Sequence, residues 1–479
     1  LLPQMRGLNL NDFIPQLFLD RLIVNLSSIE ETKMKFPDGP RSPELIQTIE
    51  LITNSLNYLE RCTQSYGDIF TIRFLRYPPS VIVSNPQAIK EIFTADPKTF
   101  NLEQGNNILP PALLGANSVI FMDGDHHEER RRLLSPPFHG ERMRVYSQLI
   151  FEITQQIVSQ WTIGKPFQVR SAMQQISMQT ILRAVFGLNE GVRLQQLEKL
   201  LSSMMNIFSS PWRSSFLFIE ALQRDLGPWS LWGNFLRIRK QADKIIYEEI
   251  RKRRNNPNLS GEDVLSLLIA ARDSQGQSMT PVELRDELMT LLVAGHDNVA
   301  SSLTWALYWI HLLPKVHDKL LTEIEALGSH PDPLEVTQLP YLEAVCQETL
   351  RICPPVLFTF PRILQKPFKI MDYDLEPGTL ISPCIYLTHQ RKDLYPEPES
   401  FKPERFLAKK FSLFEFFPFG GGNRRCLGVA FAQFEMKLIL AKILSCLQLT
   451  STNLDSIKPQ LRGSTLAPSE DFYLTPILK

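Results

Sequence analysis

The residues best placed for chemistry lie late in the chain, in Phe419-Gly-Gly-Gly422-Asn-Arg424-Arg-Cys426-Leu-Gly428. A cysteine that follows glycines and directly precedes a helix sits where backbone N–H groups and the positive helix end stabilise a thiolate. Glycines let backbone approach a flat ligand, and Arg424 places a cation nearby for an acidic group. Those are the needs of a haem whose iron takes a cysteine thiolate and whose propionates need cationic partners. A phosphate-binding glycine loop fits poorly, because no Gly-Lys-Ser/Thr follows and no buried strand precedes. A structural cysteine in a glycine turn stays open as a reading of the local chemistry.

The elements that must position these residues are mostly helical. Thr280-Pro-Val-Glu283 supplies an N-cap, a first-turn proline and a capping-box glutamate for a helix that can run to Pro314. Its second half is apolar on nearly every face, so it must cross the middle of a large domain. Another helix starts near Pro340 and stops before Pro354-Pro355, with Glu348 and Arg351 one turn apart on one face. The last helix runs from about Gly428 to Leu447. Ile69–Leu75 and Ser80–Ser84 flank Pro78-Pro79 as a hairpin, and Phe368–Ile385 reads as short strands joined by Pro377-Gly378. The expected fold class is mainly α with a minor β portion.

Length and charge narrow the function classes. At 479 residues the chain is one unusually large domain or about three ordinary ones. Its 51 Lys+Arg cancel its 51 Asp+Glu, so net charge gives no reason to expect a nucleic-acid partner. The six cysteines form no Cys-x-x-Cys pair, against a disulfide framework and for a reducing, cytoplasmic setting. Residues 1–35 read as an amphipathic extension with neither a secretory signal nor a transmembrane anchor, set off by the turn-rich Phe36-Pro-Asp-Gly-Pro-Arg-Ser-Pro43. The apolar stretch Leu291–Leu313 carries too many polar groups to span a bilayer.

From about residue 36 onward the sequence resembles the cytochrome P450 family. The pattern Phe-x-x-Gly-x-Arg-x-Cys-x-Gly is met by Phe419, Gly422, Arg424, Cys426 and Gly428. The resemblance implies the P450 fold as a single haem-thiolate monooxygenase domain over 36–479, haem b as cofactor, and Cys426 as the iron ligand. The family's Glu-x-x-Arg falls on Glu348 and Arg351 and its later arginine on Arg405, a structural ion network supporting the cysteine loop. By the same alignment His127 and Arg131, in Gly124-Asp-His-His127-Glu-Glu-Arg-Arg131, would contact the propionates, as would Arg362 and Arg424.

Ala294-Gly295-His296-Asp297-Asn298 matches the family's oxygen groove up to its last residue. The resemblance implies that Ala294 and Gly295 leave room for O2, and that the acid Asp297 with a following alcohol delivers protons. Here Asn298 replaces the alcohol, and an amide is a poorer proton relay than a hydroxyl. Expected substitutes are an Asn298-held water, a substrate hydroxyl, Ser301 or Ser302.

Met204–Phe235, with Met204, Met205, Phe208, Trp212, Phe216, Phe218, Trp229, Trp232 and Phe235, and Asn101–Asp123 fall where the family lines its cavity. Val356, Leu357, Phe358 and Phe360 are expected near the haem. The expected substrate is a lipophilic small molecule such as a fatty acid or terpenoid, and Arg213 is a candidate anchor for an acidic one. The pattern is most like soluble cyanobacterial members. No flavin or nicotinamide fingerprint appears, so electrons must come from a separate ferredoxin or flavodoxin with its reductase. Arg130, Arg131, Arg132, Lys409, Lys410, Arg425 and Lys437 are the expected basic docking face. Oxidative cyclisation, coupling or desaturation on the same scaffold is the nearest alternative, and a haem-bound sensor or ligand carrier without turnover is the alternative from another class.

Overall fold

The computed structural model describes residues 36–477 except 76, 102–110, 188–190, 209–222, 257–260, 329–330 and 452. Pro37–Lys479 forms one compact unit. The N-terminal extension 1–35, Arg213, Trp212, Phe216, Phe218 and residues 102–110 of the 101–123 segment lie outside the described residues.

Its longer helices are α1 Glu44–Thr53, α2 Ser55–Tyr66, α3 Pro86–Thr94, α4 Gly124–Leu134, α5 Arg142–Val158, α6 Val169–Phe186, α7 Val192–Phe208, α8 Leu231–Asn255, α9 Pro281–Leu312, α10 Pro314–Glu325, α11 Pro340–Ile352 and α12 Val429–Cys446. The strands are β1 Ile69–Ile72, β2 Ser80–Val83, β3 Phe100–Asn101, β4 Phe167–Gln168, β5 Arg362–Leu364, β6 Phe368–Ile370, β7 Tyr373–Leu375, β8 Leu380–Pro383, β9 Gln448–Thr450, β10 Pro459–Arg462, β11 Thr465–Pro468 and β12 Tyr473–Ile477. The architecture is mainly helical with a minor β part.

Helix α9 spans 32 residues, about 48 Å at 1.5 Å per residue. Its capping box forms as the sequence predicts. The Glu283 N–H donates to Thr280 Oγ1 at 3.3 Å, and Glu283 Oε2 accepts from the Thr280 N–H at 2.7 Å. The second half of α9 is apolar on nearly every face, and α6, α8, α11, α12 and β11 all pack against the helix. Proline fixes both ends of α11, at Pro340 and at Pro354-Pro355 beyond it.

The largest sheet runs β1-β2-β8-β5-β3, with β2 and β8 parallel and the other neighbours antiparallel. The hairpin flanking Pro78-Pro79 is β1–β2. The Phe368–Ile385 segment forms short strands, and Pro377-Gly378 joins two of them, β7 and β8. Its tight turn is Met371-Asp372 between β6 and β7, while Pro377-Gly378 carries the chain out of that pair and into β8 of the large sheet.

A core through α5, α6, α9, α11 and α12 holds most of the buried apolar side chains, Met204 and Phe235 among them. A smaller cluster beneath β1 and β2 contains Tyr58, Leu59, Phe70, Ile82 and Leu357. Leu357 is therefore a structural core residue rather than a lining one. Trp229 is 95% exposed and lines no cavity. Among the described residues no helix is long and apolar enough to cross a membrane.

Candidate active site

The cysteine loop closes on itself, with the Cys426 N–H donating to Phe419 O at 2.9 Å. Gly420 and Gly422 have φ of +68° and +67°, which only glycine adopts without strain. A Cβ on Gly421 would lie 2.2 Å from the Phe93 ring, and one on Gly422 would lie 3.0 Å from Phe93 O. These glycines therefore let the loop seat on α3. Gly428 is the different case: nothing stands within 4 Å of its Cβ position.

Cys426 lies deep in the protein and is nonetheless accessible, as a residue lining an internal cleft must be. Burial pushes its thiol up, opposed by the Gly428 backbone N–H and by the Arg131 and Arg425 guanidiniums. The surroundings so do less for the thiolate than the sequence suggests; a cation bound at sulfur would supply the rest. Among the described residues no three His, Cys, Asp or Glu side chains converge as a metal site.

Around the loop stand cations with little to neutralise them. Arg424 reaches Val119 O at 3.3 Å, Met122 O and Asp123 Oδ1 at 3.0 Å, but its Nε is buried without a partner. Arg362 is 3% exposed and, among the described residues, donates only to Thr359 Oγ1, Phe360 O and Gly421 O, at 3.1, 3.1 and 3.3 Å. Burial first, and Arg424 second, push its pKa down to about 10. Arg131, one turn after His127 on α4, makes no side-chain hydrogen bond or ion pair to a described residue. Burial, then Arg424 and Arg131, hold His127 down to about 4, and its Nδ1 is a buried atom without a partner.

Three arginines and a neutral histidine thus face one another with Asp123 as the only paired carboxylate on Arg424. Unpaired buried charge costs several kcal/mol per ion, so such a set calls for an anionic ligand. The orphaned Arg424 Nε and His127 Nδ1, the unpaired Arg362 and the open space at Gly428 fit a haem with two propionates.

The Glu348 network is closed by contrast. Glu348 and Arg351 are both 0% exposed and form a bidentate pair at 2.7 and 2.8 Å. Glu348 Oε1 also accepts from Arg405 Nε at 3.2 Å and the Lys402 N–H at 2.8 Å. Arg351 donates onward to His389 O at 2.9 Å, and His389 Nε2 accepts the Phe417 N–H at 3.1 Å. His389 so carries the network into the cysteine loop, two residues before Phe419. Sequence reasoning missed it, because a lone histidine with no ligand spacing gives no signal.

On α9, Ala294 is exposed although the helix crosses the core, so that turn faces the cleft. At Gly295 a Cβ would meet Ile181 Cδ1 at 3.1 Å, so its lack of a side chain lets α6 approach. Asp297 is held by Arg170 at 2.6 Å and Gln174 at 3.0 Å, both from α6. Asn298 Nδ2 donates to Ala294 O, and its Oδ1 accepts from the Thr465 hydroxyl, each at 3.2 Å. Neither expected serine is poised in its place. Ser302 Oγ bonds back to Asn298 O at 2.9 Å, and Ser301 Oγ is buried without a partner.

The expected basic face loses members. Arg130 is buried and paired with Glu283 and with Glu287, the latter at 3.3 Å. Lys437 is bound by Thr337 O at 2.5 Å, whereas Lys409 stays exposed although it pairs with Glu415 at 3.2 Å. Lys410, Arg132 and Arg425 keep exposed or half-exposed positions.

A glycine-shaped cysteine loop, surplus buried cations and a long central helix define a haem-thiolate oxidoreductase. The cytochrome P450 profile matches residues 37–476. Cytochrome P450 135B1 of Mycobacterium tuberculosis is 36% identical over 438 residues, covering 91% of this chain and 90% of that protein. Cytochrome P450 138 of the same organism is 33% identical, covering 91% and 95%. A solved structure of retinoic acid bound cyanobacterial CYP120A1 superposes with a TM-score of 0.80 at 26% identity, covering 92% of this chain and 99% of that one. The chain belongs to the cytochrome P450 family, and with it come monooxygenase chemistry on O2, haem b with a cysteine thiolate, and electrons from redox partners.

Proposed function

We propose that the protein inserts one atom of O2 into a lipophilic small molecule of the fatty-acid, terpenoid or retinoid kind. Cys426 would ligate the iron, and His127, Arg131, Arg362 and Arg424 would hold the propionates. The haem, once bound, supplies the oxygen-activating chemistry. The chain's own tasks would be to offer the Cys426 thiolate to the iron, to neutralise the propionates and to order water beside Asn298. Asp297 keeps its charge position through Arg170 and Gln174.

The wall of the cleft carries the substrate reading. Its accessible residue at the middle of α9 is Ala294, and the charged residue of that turn, Asp297, is already paired. Such a surface rewards burial of apolar area rather than ionic contact. The structural neighbour with retinoic acid bound supports the same class. Electrons are supplied by a ferredoxin or flavodoxin with its reductase, docking near Lys410, Arg132 and Arg425. Residues 1–35 form an amphipathic extension ahead of the catalytic domain, and the free thiols suit the cytoplasm.

Titration with retinoic acid and with long-chain fatty acids, followed by the haem absorption band, tests the substrate class. A shift that saturates, and a product heavier by one oxygen, are expected. A product lighter by two hydrogens would replace insertion with desaturation, and saturation by hydrophilic amines alone would overturn the lipophilic assignment. Cys426→Ser must lose the absorption of the reduced, carbon-monoxide-bound thiolate form.

A further inference from the structure

Asn298 departs from the family pattern on its own helix, but its amide is not left to itself. Nδ2 donates to Ala294 O, one turn back, at 3.2 Å. That contact fixes which way the amide points, because the flipped form would set two carbonyl oxygens against each other. Oδ1 is then the atom presented to β11, where Thr465 Oγ1 donates to it at 3.2 Å. Thr465 is 5% exposed. The other hydroxyls near this turn of α9 are committed or turned away, since Ser302 bonds back along the helix and Ser301 is enclosed.

The hairpin that brings Thr465 is itself pinned. β10 and β11 pair with Arg462 opposite Thr465, across a turn at Gly463-Ser464. The Leu466 N–H donates to Pro355 O at 2.8 Å, and Leu466 O accepts from Trp305 Nε1 at 3.3 Å. Thr465 is thus fixed from both sides within one residue of its contact with Asn298. The two accepting sites of a hydroxyl outnumber its single proton, so after donating to Asn298 the Thr465 oxygen can still accept from water. The Asn298 Nδ2 group has a second hydrogen beyond the one it gives to Ala294 O.

We propose that Thr465 is the positioning residue of the oxygen groove: its hydroxyl locks the Asn298 amide, so that an amide from the helix and an alcohol from the β10–β11 hairpin together order water there. The groove is then assembled from segments 167 residues apart. Because one half of it sits on the hairpin, anything that displaces β11 also releases the amide. This rests on the haem-thiolate assignment of Cys426.

The carbon monoxide stretching band of the reduced protein reports hydrogen-bond donors in the groove without any substrate. It is read in wild type, Thr465→Val, Thr465→Ser, Asn298→Thr and the Asn298→Thr/Thr465→Val pair, each with its melting temperature. Thr465→Val removes the hydroxyl at nearly constant volume and is expected to shift or split the band. Thr465→Ser restores it, and Thr465→Val shifts nothing further once Asn298 is threonine. Should valine prevent folding, Thr465→Ala is read in its place. A wild-type band in Thr465→Val, or serine behaving as valine does, overturns the proposal. Loss of the thiolate-type absorption in wild type would instead overturn the assignment of Cys426, so the two failures are distinguishable.

Discussion

Two clusters of buried charge flank the cysteine loop and are finished in opposite ways. At Glu348 each charge meets its partner within the chain: the carboxylate takes Arg351, Arg405 and the Lys402 N–H, and Arg351 spends its remaining donors on carbonyls. At Arg362 and Arg424 the donors outnumber the acceptors, and His127 Nδ1 and Arg424 Nε have none. A closed network holds shape, because removing one member strands the rest. An open one holds a ligand, because the ligand brings what is missing.

Breaking the closed network should do the most damage. Glu348→Ala strands Arg351 at 0% exposure, a loss of about 3–5 kcal/mol. Urea unfolding should show it, or no folded haem protein should be recovered. Equal stability of this variant and wild type would erase the distinction between the clusters.

The open cluster should answer in the opposite sense. Arg362→Met removes a buried cation that has no carboxylate, so the haem-free chain should melt no lower than wild type. Haem transfer to a scavenger protein should nevertheless become about tenfold to a hundredfold more favourable, from the ~1.5–3 kcal/mol of a charge-assisted hydrogen bond. A drop in apoprotein stability with unchanged haem retention would make Arg362 a structural residue.

The acid side of the stability curve sharpens the contrast further. Burial, with Arg351 beside it, lowers the pKa of His389 to about 3 from the usual 6.5. Below pH 6.5 the unfolded chain therefore binds a proton that the native state refuses, and stability falls toward pH 3 by up to ~1.4 kcal/mol per pH unit. His389→Gln should flatten that limb when urea midpoints are compared at pH 7 and pH 5. An unchanged slope would place the acid sensitivity in other buried histidines.

The smallest effect belongs to the surface. Lys410→Glu with Arg132→Glu should slow electron transfer a few-fold at low salt, and the difference should fade as salt screens it. Arg130→Glu should instead destabilise the fold, because Arg130 is paired inside with Glu283 and Glu287. Stable protein with slowed transfer from Arg130→Glu would restore it to the docking face.

Much of the frame was legible because the signals are local. The Thr280 capping box, the prolines around α11 and the strand runs flanking Pro78-Pro79 act over a few residues, and all three formed where expected. The loop from Phe419 to Gly428 was legible for the same reason. Its glycines were recognised, but a further demand on them was not: Phe93, more than 300 residues earlier, leaves no room for a side chain at Gly421 and Gly422. Likewise the aromatic run before α8 suggested a cavity lining, yet Trp229 projects into solvent and Phe235 into the core.

The sequence by itself determined the chemistry on offer: a thiolate-capable cysteine in a glycine turn, a buried acid with two arginines, a central helix with an amide where an alcohol is usual. Only the tertiary structure decided which charges are spent. It paired Arg130 and left Arg362 open, ran the Glu348 network through His389, and brought the Thr465 hydroxyl to Asn298. Residue type fixes what a side chain can donate or accept. Its partner depends on which distant segment packing brings within about 3 Å, and no local pattern encodes that distance.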